Sequence, residues 1–444
     1  MRQSNTYNDK KFRSIFLFFL VSIFFTITPL LILYSMGYRL DIENKKIIET
    51  GVISIDIKPK EAEVYLNDIK ITKKIPIRLT NRTPGTYNLK ISLPGYKTWE
   101  KNIDVKSKQT TYIKNINLLK DSLPTAIDNT KNNIDSFLPS TDGRFILLSS
   151  TKNKTTNIEL FDSQSEEFSP LFKLPENTKY QLEWSPFNNY ILFTKFEKNI
   201  ASISILNADN TDTITNYEVL IDKEKVLHYQ WQKNSPIPTI FIDENNKIFR
   251  LTTNTSEQMF NLSSTTIWYI DDLEKFWILE KDNLIVKNSN DSQDKISIPN
   301  PLGIKKIIDI NNYRAILQTD TEVLIISREQ NKQEAIHTLN FHRNTSTNEW
   351  LTWSAWELWS IYEHDKPALL NRTSDNIKFV FPLDDVGALA IVNNHGIESF
   401  NPGYYVNQNL YNGEVYNASV YKRENRIYFF GKVGDKTGLY ELNY

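Results

Sequence analysis

The chain has 444 residues, more than one small core requires, and a prior of roughly 150 residues per domain points to two or three units or one large β array. Its formal net charge is −1, and the 24% of charged residues are spread without blocks, which leaves no basic footprint for nucleic acid. Cysteine is absent, which removes disulfides, thiolate nucleophiles and cysteine-ligated zinc together, while 40% hydrophobic and 12% aromatic residues supply enough apolar surface to fold the bulk of the chain.

Ile15 to Gly37 carries no charge over about 23 residues, enough at a rise of about 1.5 Å per residue to cross roughly 30 Å of hydrocarbon. Arg2, Lys10, Lys11 and Arg13 precede it, whereas Arg39 is followed at once by Asp41 and Glu43. The positive-inside rule therefore puts residues 1–14 in the cytoplasm, the bilayer around residues 15–37 and everything later outside the cell. The apolar run is too long for the core of a cleaved signal peptide, and Leu33 to Met36 offers no small-x-small cleavage site. Pro29, within the span, is a tolerated packing detail.

From residue 50 to 119 short runs alternate apolar and polar: Val52 to Ile57, Ala62 to Leu66, Tyr87 to Ile91 and Asn102 to Val105. Period two at this length means half-buried strands. Turn formers separate them, among them Asn67-Asp68, Pro84-Gly85 and Pro94-Gly95, where proline presets φ and glycine accepts a positive one.

The order of these pieces resembles the PEGA domain, through Pro59 with Ala62 to Asn67, Ile75 to Leu79, Pro84 to Tyr87 and Pro94 to Trp99. The resemblance implies a small Ig-like or transthyretin-like β-sandwich, an extracytoplasmic accessory module without catalytic residues. Where the family usually has glycine, Asp68 follows Asn67, a residue that also tolerates the left-handed region. Tyr96 and Trp99 are read as plugs of the sandwich edge.

Residues 120–133 are polar and read as a linker. Beyond them, over 134–444, a unit repeats. Phe137–Leu148 (FLPSTDGRFILL), Leu182–Phe193 (LEWSPFNNYILF) and Leu351–Tyr362 (LTWSAWELWSIY) share a serine at the fourth position and an aromatic at the ninth. A second alternating strand recurs at Asn157–Phe161, Ser202–Leu206, Lys247–Leu251, Asn283–Lys287, Glu322–Ile326, Pro367–Leu370, Gly396–Phe400 and Gly438–Leu442. Spacings of roughly 30 to 46 residues bracket the period of a four-stranded blade. The hairpin is similar to that of TolB-like and WD40-like β-propellers, and seven or eight blades fit the length. Ring closure then predicts that residues 120 to 135 supply the outermost strand of the last blade, and that helix is confined to the membrane segment.

Residues with catalytic or metal-binding potential are explained by structure instead. Trp350, Trp353, Trp356 and Trp359 fall on a blade hairpin and read as core. Glu363-His364-Asp365 reads as a solvated loop, because neighbours on a strand end point in alternating directions. Asp271-Asp272, Asp384-Asp385 and the Asp209 to Asp212 segment read as turns. The five histidines form no metal-site spacing, and neither a nucleophile elbow nor a phosphate loop is present. The expectation is an all-β extracytoplasmic region, small sandwich plus propeller, on one transmembrane helix. Catalytic, cofactor-binding and metal residues are expected to be none. The function expected is non-catalytic binding or scaffolding of an envelope protein or glycan; the alternative is a propeller hydrolase acting on peptide or glycan through carboxylates gathered at the channel mouth.

Overall fold

The computed structural model describes residues 6–444 except 42–45, 129–132, 199, 221–227, 234, 236, 253–254, 263–266, 288–293, 330–331 and 345. Arg2 and Glu43 of the charge argument, and residues 129–132 of the connector, lie outside the described residues. The chain divides into two compact units, Met1–Asp121 and Ser122–Tyr444.

In the first unit, α1 (Thr6–Ser35) begins before the apolar stretch and carries Pro29 inside it. Its segment Phe12–Ser35 is long and apolar enough to cross a membrane. The Arg39 guanidinium closes its end: Nη1 donates to the Tyr34 carbonyl at 2.7 Å, and Cζ lies 3.6 Å from the centre of the Tyr34 ring. A cation here satisfies a helix carbonyl that has no partner within the helix. A hairpin unanticipated from the sequence follows, β1 (Tyr38–Asp41) against β2 (Lys46–Glu49).

The sandwich has two sheets. One orders β6 (Ile77–Arg82), β3 (Gly51–Lys58) and β9 (Thr110–Asn117); the other orders β5 (Ile69–Ile71), β4 (Glu63–Leu66), β7 (Gly85–Ser92) and β8 (Trp99–Val105). The alternation in the sequence becomes alternation in burial, with Ile53, Ile55 and Ile57 of β3 all inside and their neighbours out. Leu89 and Ile91 face them from the second sheet's share of the core, each such side chain contributing about 1.5–3 kcal/mol of burial. The β4–β5 turn has Asn67 at φ +49° and Asp68 at φ +63°, so the aspartate takes the left-handed position glycine would otherwise fill.

The second unit is a propeller. Among the described residues it has eight four-stranded antiparallel sheets. Numbered from Ser136, the first strands of blades 1 to 7 are Ser136–Pro139, Lys179–Trp184, Tyr229–Trp231, Trp268–Ile270, Lys306–Ile310, Asn340–Asn344 and Phe379–Pro382. Blade 8 takes Glu414–Tyr421 and the two strands after it, and its outermost strand is β10 (Thr125–Asp128), from the segment read as a connector, which pairs with Lys436–Asn443. First strands touch between blades 1 and 2, 4 and 5, 6 and 7, 7 and 8, and 8 and 1, and side-chain hydrogen bonds join blades 2 to 3, 3 to 4 and 5 to 6, so the ring closes.

Apolar side chains fill the spaces between blades. Phe145 and Leu147 of blade 1 pack with Trp184 and Phe193 of blade 2, and Phe137 and Phe161 of blade 1 pack with Tyr421 and Tyr428 of blade 8. A polar staple accompanies this packing at the channel side of every interface. In chain order these include Trp184 Nε1 to the Leu138 carbonyl (2.8 Å), Gln181 Nε2 to Tyr229 Oη (3.3 Å) and Gln230, which both donates to the Ile270 carbonyl (2.6 Å) and accepts from its amide (2.8 Å). Trp353 Nε1 donates to the Lys378 carbonyl (3.2 Å), Lys378 Nζ to the Val415 carbonyl (3.1 Å) and Ser419 Oγ to the Gly143 carbonyl (3.5 Å). The interfaces of blades 4, 5 and 6 converge on Asp309, described below.

Gly143 is required where the ring closes. Its φ is +73°, and a Cβ built there would lie 1.9 Å from the Val420 carbonyl oxygen of blade 8.

The repeat in the sequence is real but one copy is out of phase. Phe137–Leu148 and Leu182–Phe193 span first and second strands, whereas Leu351–Tyr362 spans the second and third strands of blade 6, Glu349–Trp353 and Glu357–Ile361. The serine explains why: Ser354 Oγ accepts from the amides of Trp356 and Glu357, as Ser140 Oγ accepts from Phe145 and Ser185 Oγ from Phe187. A serine-capped hairpin is a local solution that serves either end of a blade. Seven of the eight recurring strands are third strands, and Pro367–Leu370 falls instead on the fourth strand of blade 6, Ala368–Arg372. Among the described residues outside α1, 3₁₀ conformation occurs at Lys422–Glu424, between the first two strands of blade 8 and closed by Asn425 at φ +53°, and at Asp294, so helix is not confined to the membrane segment.

Candidate functional site

The first strands surround a channel with a cavity of about 460 Å³. A second, more open cavity of about 420 Å³ lies at the end where first strands turn into second strands. Pro186, Phe187, Lys233 and Arg343 line both and form the neck between them.

At this neck the buried carboxylate of Asp309 collects four blades. Oδ1 accepts from Tyr269 Oη of blade 4 at 3.0 Å and from Lys233 Nζ, just after the first strand of blade 3, at 3.2 Å. Oδ2 accepts from Trp350 Nε1 of blade 6 at 3.0 Å, and Arg343 Nη1 lies 4.0 Å away, an ion pair too long for a hydrogen bond. Burial pushes the Asp309 carboxyl up, but Lys233, Trp350 and Arg343 outweigh it and hold the group below its ordinary value. The same burial and the neighbouring carboxylate push the Tyr269 phenol far up, so it stays a donor. Lys233 also pairs with Asp272 at 2.7 Å, and Arg343 Nη2 donates to Asn348 Oδ1 at 3.1 Å.

Deeper in the channel, Trp184, Trp231, Trp268 and Trp350 stand with Tyr229 and Tyr269 around the space. Glu183 is the carboxylate among the lining residues; burial pushes its pKa up, opposed by Lys306 and by a hydrogen bond from Gln181. Lys305, Lys306, Lys233 and Arg343 also line it, so cations exceed carboxylates on the wall. Arg343 Nη1 and Trp231 Nε1 are buried without a hydrogen-bond acceptor among the described residues, a local excess of donors.

A family model matches part of the first unit. Residues 50–120 match the PEGA domain. Within this PEGA domain Trp99 is buried on β8, and Tyr96 is half-buried in a bridge to Lys120. No curated protein matches the chain. Solved structures similar to it include an uncharacterized protein from Listeria monocytogenes, 14% identical over 63% of this chain and 94% of that one, with a TM-score of 0.39. Another is the β-propeller domain of the trilobed protease from Pyrococcus furiosus, 12% identical over 74% of this chain and 99% of that one, with a TM-score of 0.35.

Most residues weighed in the sequence stand where structural roles put them. Asp271 Oδ1 accepts from the amides of Leu273 and Lys275, and Asp384 Oδ1 from those of Val386 and Ala388, as turn residues do. The second aspartate of each pair reaches across to another blade, Asp272 to Lys233 and Asp385 to Lys422. His364 is exposed on its loop, with its ring 4.0 Å from that of Tyr313. Asp209 pairs with Arg144 at 2.8 Å beside its turn. Trp353 is buried as expected, whereas Trp356 is exposed, which overturns its core reading. Trp350 departs from the core reading, since it lines the channel and holds Asp309. Asp309, Lys233, Arg343 and Glu183 were not singled out from the sequence. The available signal was a carboxylate inside an apolar run, Ile307-Ile308-Asp309-Ile310, where a channel-facing strand position has to explain the charge. Among the described residues no group of three or more His, Cys, Asp or Glu side chains is placed to hold a metal ion.

Proposed function

We propose that this chain is a membrane-anchored extracytoplasmic binding protein, with residues 15–37 in the bilayer, residues 1–14 in the cytoplasm, and a propeller channel that holds an envelope ligand without transforming it. The PEGA match and the apolar helix support the placement. The observation that carries the binding reading is Asp309. A carboxylate at the channel neck that already accepts from a tyrosine, a lysine and a tryptophan and is held ionised has no proton to give, and three of its roughly four acceptor sites are already taken. It fixes the shape and charge of an aromatic-walled cavity, as a preorganised binding site requires.

Envelope crosslinking in intact cells tests this. Recovery of one defined envelope component with the wild-type chain, lost when Trp350→Ala opens the channel wall, is the expected result. Identical recovery with both chains, or none with either, sinks the reading.

Glu183 is the observation that favours a hydrolase instead, since a carboxyl raised by burial in a cavity suits a general acid. If turnover of any recovered glycan or peptide is found and Glu183→Gln abolishes it, catalysis replaces simple binding.

A further inference from the structure

We infer that the channel ligand is an anionic saccharide unit, a sugar ring bearing one acid group; this rests on the binding reading above and names its ligand class. Three features of the wall point to it. Size comes first: a cavity of about 460 Å³ lies within the range of about 300–1,000 Å³ typical of small-molecule sites and is lined from strands on several sides. An acidic peptide would need a sheet edge or an open groove along which to lie.

Charge comes second. Lys233, Lys305, Lys306 and Arg343 line the space against Glu183. Asp309 and Asp272 compensate Lys233, and Lys305 and Asp320, 3.4 Å apart, are both mostly exposed and screened, so what is unmet inside is a pair of donors, Arg343 Nη1 and Trp231 Nε1, buried without a hydrogen-bond acceptor among the described residues. One acid group on the ligand matches that wall.

The third feature is the mixture of surfaces. Aromatic faces from Trp231, Trp268 and Trp350 suit the C–H faces of a pyranose ring, while Glu183 and Gln181 call for hydroxyl partners. A fatty or simple aliphatic acid brings no hydroxyl donors to add to the hydrogen bond that Glu183 takes from Gln181, and a largely buried carboxyl short of donors is costly.

The acid group has two chemical sources, a uronate carboxylate or a sugar phosphate. The test titrates the full chain in detergent micelles, following tryptophan fluorescence, with a glucuronate-containing disaccharide, with glucose 6-phosphate, with the neutral glucose disaccharide and with tri-glutamate. Saturable binding of either anionic sugar, about tenfold tighter than the neutral sugar, is expected, and whichever binds assigns the source. Lys306→Gln, at an exposed position with little reason to unfold the chain, and Arg343→Gln each weaken that binding about tenfold, the loss of one charge-assisted contact. Equal binding of neutral sugar, equal binding of tri-glutamate, or no binding of either anionic sugar overturns the inference. If the crosslinked component is still recovered and still lost in Trp350→Ala, only the ligand class has fallen; if that recovery has failed too, the binding reading has fallen with it.

Discussion

The PEGA sandwich and the propeller solve the same problem, covering both faces of small antiparallel sheets, by different means. In the sandwich two sheets shut on each other, and a core built on Ile53, Ile55, Ile57, Leu89 and Ile91 is complete within about 70 residues. No blade of the propeller can do that. Each borrows its neighbours' apolar faces, and polar staples along the channel add a second, directional layer of attachment. The sandwich is therefore stabilised by area and the ring by closure, so a local change in the ring is felt wherever closure depends on it.

The comparison breaks most visibly at Gly143. In Gly143→Val the side chain meets both a left-handed φ and the Val420 carbonyl, so the propeller unfolding transition falls by more than about 4 kcal/mol while the sandwich transition stays in place. Two transitions in calorimetry, one shifted and one not, is the expected trace; equal shifts of both would show that the two units unfold together.

Asp309→Ala comes next. Removing the acid leaves Lys233 and Arg343 facing each other in a half-buried neck, a loss of about 3–5 kcal/mol confined to the propeller and readable from urea midpoints. Since the folded pKa of Asp309 lies below its ordinary 3.8, its share of stability is complete above that pH and is lost as pH falls through the lower, folded value. The variant accordingly shows a weaker dependence on pH in that acid range.

A smaller effect separates the units by pH. All five histidines lie between residues 228 and 395, none in the sandwich. His342, on the first strand of blade 6, is pushed down to about 4 by burial and by the Lys422 cation. The unfolded chain binds that proton first, so the contribution of His342 is full above pH 6.5 and is lost as pH falls toward 4. Urea midpoints at pH 7.5 and 5 measure it: the propeller midpoint falls on acidification, and His342→Gln reduces the fall. An unchanged fall would remove His342 from the account.

What the sequence revealed follows the same division. The sandwich was legible because its signals are local: alternation set β3, β4, β7 and β8, and Asn67-Asp68 named its own turn. The blades were legible as repeats, and the strand needed from residues 120 to 135 followed from counting strands in the last one. Phase in blade 6 was not legible, because Ser354 makes the same capped hairpin at the opposite end of a blade. The neck was least legible. Lys233 and Asp309 stand 76 residues apart, and Tyr269 and Asp309 40 apart, so nothing but the closed ring joins them, and Trp350 reads as one more core aromatic until its indole N–H is seen to have a carboxylate to hold.

The pairing of β10 with the final strand has a mechanical consequence. A pull transmitted along the chain from the N-terminal side reaches the propeller through β10, and the Thr125–Glu441 and Ala126–Tyr440 pairs, with Ser122 Oγ on the Asn443 carbonyl, take the load before any other blade does. The seam this short ribbon fastens is also where blade 8 meets blade 1. Stress from the tether is thus delivered to the clasp of the ring.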